Sequence, residues 1–123
     1  MKNISKYTAI IPILIGLNAC SSSSKEDKSY ASKLRIEAGG KIFNGKGNCA
    51  SCHHSNDALV GPSLNVIASV YSKTGSMLDF FKQKSGPIVV PAQTDGMKAN
   101  FTLLKSMSEE ELLSLEAYIL SSK

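Results

Sequence analysis

Cys49-Ala50-Ser51-Cys52-His53 is the stretch whose reading decides this chain. A C-x-x-C-H run sets two thiols about one helical turn apart with an imidazole directly behind them, the spacing of covalent haem attachment. On that reading the two sulfurs join the porphyrin edge as thioethers, and His53 is the proximal ligand to iron. Two other chemistries use paired cysteines. A redox dithiol of the thioredoxin kind sits by a βαβ unit, whereas the approach here is Asn44-Gly45-Lys46-Gly47-Asn48, with no β-branched run before it. A structural zinc site needs a second pair of ligands. Outside the motif the sequence offers one cysteine, Cys20, and one histidine, His54, which reads as a solvated side chain.

The N-terminal end reads as an export signal. Lys2 and Lys6 form a short basic region, and Thr8 to Ala19 is almost wholly apolar but too short to span a bilayer comfortably. Leu17-Asn18-Ala19-Cys20 resembles the bacterial lipobox, in which the cysteine becomes the acylated first residue of the mature chain. Residues 1–19 are thus expected to be a lipoprotein signal peptide and Cys20 the lipidated residue. Several acyl chains on one residue give stable anchoring. Residues 20–30, rich in serine and charge, are expected to be a flexible tether. The expected location is outside the cytoplasm, on the periplasmic side of a bacterial membrane or at the cell surface.

Loss of residues 1–19 lowers the formal net charge from +4 to +2, because it removes two lysines and no acid. Two haem propionates would bring the whole close to neutral. With a single arginine and no basic stripe or aromatic platform, the chain carries no nucleic-acid footprint. Residues 31–123 are expected to form one domain, small enough that a haem must supply much of its core.

Within that domain the periodicity is helical. Leu34, Ile36, Ala38, Ile42 and Phe43 suit a first helix over 32–43. Leu64, Ile67, Ala68 and Tyr71 follow the turn Gly61-Pro62-Ser63 at helical spacing and stop near Gly75. Ser76, with Asp79 at N3, suits the cap of a short helix through Met77, Leu78, Phe80 and Phe81. Residues 87–106, with two prolines and Gly96, read as a long functional loop. Ser108-Glu109-Glu110-Glu111 is a capping box opening a last helix, whose apolar stripe runs through Leu112, Leu115, Tyr118 and Ile119.

Taken in order, these anchors resemble those of the class I, monohaem cytochrome c family. Gly39 and Phe43 resemble its Gly-x-x-x-aromatic pair on the first helix. Gly61-Pro62-x-Leu64 resembles the turn whose proline carbonyl accepts a hydrogen bond from the proximal histidine. Leu115-x-x-Tyr118 resembles the last-helix pair that crosses the glycine. The resemblance implies an all-α fold of three to four helices around one covalent haem c, with the N- and C-terminal helices crossing. It also implies redox protein partners and single-electron transfer, with no catalytic residues of the chain's own.

The second axial ligand in such a carrier is a methionine sulfur. Met77 lies early on an expected helix and Met107 just before the cap Ser108, where both read as packing residues. Met97 lies in the long loop where the family places its ligand, although Lys98 stands where the family has proline. Met97 is therefore the expected distal ligand, with Met107 the alternative. Leu64, Ile67, Phe80 and Phe101 are expected to line the haem slot. A small haem enzyme or gas-binding protein is the rival function, and would need the distal position open or weakly held.

Overall fold

The computed structural model describes residues 25–75 and 77–123. Among them are five α-helices and no strand: α1 (Lys25–Asn44), α2 (Leu64–Thr74), α3 (Met77–Phe81), α4 (Lys98–Lys105) and α5 (Glu109–Leu120). Two 3-10 turns, Cys49–Ser51 and Pro91–Met97, complete the regular structure. The all-α fold expected from periodicity is the observed one. None of these helices is long and apolar enough to cross a membrane. The expected signal peptide, Cys20 and the cap Ser76 lie outside the described residues.

The fold is closed by α1 and α5, which make the most extensive helix–helix contact in the molecule. Gly39 is what lets them cross. A Cβ there would lie 1.9 Å from the Ser114 carbonyl oxygen and 2.7 Å from Tyr118 Cβ, inside any tolerable contact. One turn on, the Phe43 and Tyr118 rings stack at a tilt with centroids 5.3 Å apart. Beneath them Leu115 is fully buried, in a core shared with Leu64, Tyr71, Met77 and Phe81. The expected meeting of Gly39 and Phe43 with Leu115 and Tyr118 is therefore present, and Ser114 joins it through its backbone.

The first turn of α5 is fastened three times. Its capping box is complete: Glu111 N–H donates to Ser108 Oγ at 3.3 Å, and Ser108 N–H to Glu111 Oε2 at 2.9 Å. Its three glutamates then take cations from three other segments. Arg35 of α1 reaches Glu110 at 2.9 Å, Lys82 beyond α3 reaches Glu109 at 3.0 Å, and Lys46 before the Cys49–His53 motif pairs with Glu111. Each pair is exposed enough to contribute little alone. Together they fix the rotation of α5 against everything it covers. Lys46, with the cap hydrogen bonds, holds the Glu111 carboxyl below its ordinary range.

Four sequence expectations need correction. Lys25–Tyr30, expected within a flexible tether, form the first turns of α1. Glu26 and Asp27 stand in its first turn, where the helix dipole favours negative charge, and no Gly or Pro interrupts the run to Gly39. Residues 87–106 are not one irregular loop either, and the count of three to four helices rises to five. The turn Pro91–Met97 passes directly into α4, whose Phe101 and Leu104 sit three apart on one face. Leu34, counted in the apolar stripe of the first helix, is 46% exposed.

Candidate haem-binding site

Asn48 adopts a left-handed backbone, with φ 50°, and turns the chain from α1 into the 3-10 turn Cys49–Ser51. Cys52 N–H and His53 N–H both donate to the Cys49 carbonyl, at 3.1 and 3.0 Å. This one tight turn brings Cys49, Cys52 and His53 onto the same cavity wall. Both thiols are free and half-buried. Burial, with Cys52 beside it, pushes the Cys49 thiol up to about 11. Cys49 is thus a neutral S–H near pH 7, and it donates to the Gly47 carbonyl at 3.4 Å.

The turn Gly61-Pro62-Ser63 folds back over the motif. Gly61 N–H donates to the Cys52 carbonyl at 3.0 Å, and Leu64 N–H, opening α2, donates to the His54 carbonyl at 2.9 Å. The Pro62 carbonyl lies 2.8 Å from His53 Nδ1. A carbonyl can only accept, so Nδ1 carries the proton and Nε2 keeps its lone pair for a metal. Gly61 passes flat across the imidazole. A Cβ at this position would fall 2.5 Å from His53 Cε1, so only glycine leaves the ring room. The sequence shows this glycine as part of a turn, while its contact with the His53 ring is tertiary and has no local signature.

The cavity is open on one side, and about 1070 Å³ of non-atom space lies within it, open solvent at the mouth included. Leu64, Ile67 and Phe80 line it as expected; Phe101 does not. Phe101 instead packs edge-on against Phe80 with centroids 5.4 Å apart, one layer behind the wall. Tyr71, Val89, Val90 and Leu104 complete much of the apolar surface. Burial raises the Tyr71 phenol above its ordinary value, partly offset by a hydrogen bond from the Ile88 amide.

Of the three candidate methionines, Met97 and Met77 line this cavity and Met107 does not. Met107 is buried with Leu112 in a separate recess before α5, the position of a hydrophobic staple. Met77 is 1% exposed, packed into the core at the start of α3. Met97 ends the 3-10 turn, half-buried, on a segment otherwise joined to the body by few contacts. His54 is exposed and lies 3.4 Å from Asp57.

The residues present fit a haem. Two thiols and an imidazole with a free Nε2 come from a single turn, and the wall around them is a slot of aliphatic and aromatic side chains. They do not fit structural zinc: among the described residues, no group of three or more His, Cys, Asp or Glu side chains gathers to hold a metal ion. The sequence matches the family described as Cytochrome c over residues 36–123. Comparison with curated proteins gives no match.

Proposed function

We propose, from the premise that the chain belongs to the cytochrome c family of haem-binding electron carriers, that this protein is a membrane-tethered monohaem carrier. It passes single electrons between redox partners outside the cytoplasm. Cys49 and Cys52 would hold one haem c through thioether bonds, and His53 Nε2 and the Met97 sulfur would bind its iron. The observation that carries this assignment is the 2.8 Å contact between His53 Nδ1 and the Pro62 carbonyl. It fixes the tautomer and leaves the other ring nitrogen to the cavity that also takes both thiols and Met97.

When bound, haem supplies a one-electron Fe(III)/Fe(II) exchange. The chain's share is to hold, orient and insulate it. Pro62 raises the basicity of the proximal imidazole by accepting its N–H. The apolar wall keeps water from the ring and favours the less charged ferrous state, as does thioether ligation. Attachment through Cys20, in turn, confines the carrier to a membrane surface, where donor and acceptor are met by lateral diffusion.

Haem staining of the mature protein on a denaturing gel tests the covalent attachment. Retention in the wild type and loss in Cys49→Ala/Cys52→Ala is the expected result; no stain in the wild type refutes it. Fractionation tests the anchor, since Cys20→Ser should move the protein from the membrane to the soluble fraction. A protein that stays in the membrane after this change is not held by that cysteine.

A further inference from the structure

We propose that Asn100 is the positioning residue that keeps Met97 in reach of the iron, by latching the start of α4 to the loop that attaches the haem. The inference rests on Met97 being the distal ligand.

Asn100 Nδ2 donates to the Gly47 carbonyl at 3.1 Å. Among the described residues this is the one hydrogen bond that joins the segment 91–105 to a part of the chain beyond its immediate neighbours in sequence. Asn100 stands one turn after Met97, on the same helix face. Between 95 and 100, only these two side chains are shielded from solvent, and both line the cavity. The far half of α4 is held by packing: Leu104 is buried and Phe101 abuts Phe80. The near half, which carries Met97, has no buried apolar residue. Its remaining ion pair, Lys98 with Asp95, is local to the segment and exposed.

The other end of the latch is rigid. Gly47 is buried, and its N–H donates to the Ile42 carbonyl of α1 at 2.9 Å. It lies two residues before Cys49, the first haem thiol. One carbonyl has two lone pairs, so it can take both the Cys49 thiol proton at 3.4 Å and the Asn100 amide. Were the Cys49 S–H added across a haem vinyl group, a C–S bond would form, the hydrogen would pass to the other vinyl carbon, and Asn100 would remain as the side chain bonded to the Gly47 carbonyl. The same loop would then set one side of the haem through Cys49 and the opposite ligand through Asn100.

The test is made on the oxidised holoprotein with imidazole as the probe. Imidazole enters only when the methionine is off the iron, so its apparent Kd varies inversely with the fraction of protein in that state. Binding is followed by loss of the methionine–iron charge-transfer band. Asn100→Leu, which keeps the volume and removes the donor, should lower the apparent Kd about fivefold, the loss expected for one hydrogen bond. Asn100→Gln, which keeps an amide donor, should remain within about twofold of wild type. Amide exchange should quicken at 97–100 in Asn100→Leu and stay unchanged at Leu115. Asn100→Ala gives the same readout should the leucine variant fail to mature. A Kd unchanged in Asn100→Leu, or lowered equally in Asn100→Gln, overturns the latch alone. Persistence of the band in Met97→Leu overturns the ligand assignment, and the latch with it.

Discussion

Gly61 and His53 are packed so closely that the glycine backbone occupies the space a side chain would need: a Cβ on Gly61 would lie 2.5 Å from His53 Cε1 and 2.9 Å from Nδ1. The hydrogen bond from Nδ1 to Pro62 is made from this position. The turn therefore sets both the proton and the tilt of the His53 ring.

Gly61→Ala should be more harmful than its size suggests. Either the ring tilts or the turn lifts, and both lengthen the Nδ1–Pro62 contact. The cost in stability should be about 1–3 kcal/mol, the range for overpacking. The reduction potential should move as well, because the imidazole loses basicity. Voltammetry and thermal melting check this, and values equal to wild type would show that the turn does not bear on the ring.

At the helix crossing, Gly39→Val places a branched side chain where 1.9 Å separates the first added atom from the Ser114 carbonyl oxygen. The two helices must move apart. A loss of about 1–3 kcal/mol is expected, and for a domain of this size that lowers Tm by at least about 4 °C. Haem should remain covalently attached, since both cysteines lie outside the two crossing helices. A Tm unaffected by Gly39→Val would mean that the helices separate without cost.

The two cavity methionines can be told apart by volume-conserving changes. Met97→Leu should abolish the methionine–iron charge-transfer band and lower the potential. Met77→Leu should leave the band intact at a cost under about 1.5 kcal/mol, as a like-for-like core substitution. The reverse pattern in the optical spectrum would transfer the distal role to Met77.

Glu111 gives an acid dependence of known sign. Its carboxyl is held below its ordinary value of 4.5, chiefly by Lys46 and then by the cap hydrogen bond to Ser108. A depressed folded-state value means that Glu111 contributes stability above about pH 4.5. That contribution is lost as pH falls through the folded value. Glu111→Gln keeps the capping pattern but gives up the charge. Its urea midpoint should be slightly below wild type at pH 7 and converge with it at low pH. Parallel midpoints at both pH values would show that the ion pair with Lys46 does not contribute.

What could be read in the sequence was what is written locally. The last helix declares itself through Ser108 and Glu111, and both partners of that box are joined as expected. The attachment motif likewise follows from spacing, and the Pro62 contact from the resemblance of Gly61-Pro62-x-Leu64 to the family's turn. α4 was not legible because it has no cap of its own: Met97 precedes it with helical backbone angles and no side-chain cap, so the helix continues the 3-10 turn. Without a start signal, Gly96 and the prolines dominate the pattern. Phe101 was assigned to the slot from its hydrophobicity, but its place one layer out depends on Phe80 lying between. Asn100 could not have been singled out, since an asparagine inside a helix gains meaning only from a carbonyl 53 residues away.

The first eleven residues of α1, Lys25 to Arg35, bury no side chain, and the family match begins at residue 36, where shielding from solvent also begins. At 1.5 Å per residue that stretch is about 16 Å of solvent-exposed helix, whose last residue, Arg35, pairs with Glu110 of α5. A spacer of this kind behaves as a lever rather than a leash. Its far end cannot wander independently of Phe43 and Gly39, because all three belong to one rod clamped by α5. A contact made at the Lys25 end of this helix would thereby also constrain which way the mouth of the cavity faces. Inserting a Gly-Gly pair near residue 34 would release that orientation while leaving the domain's own packing untouched.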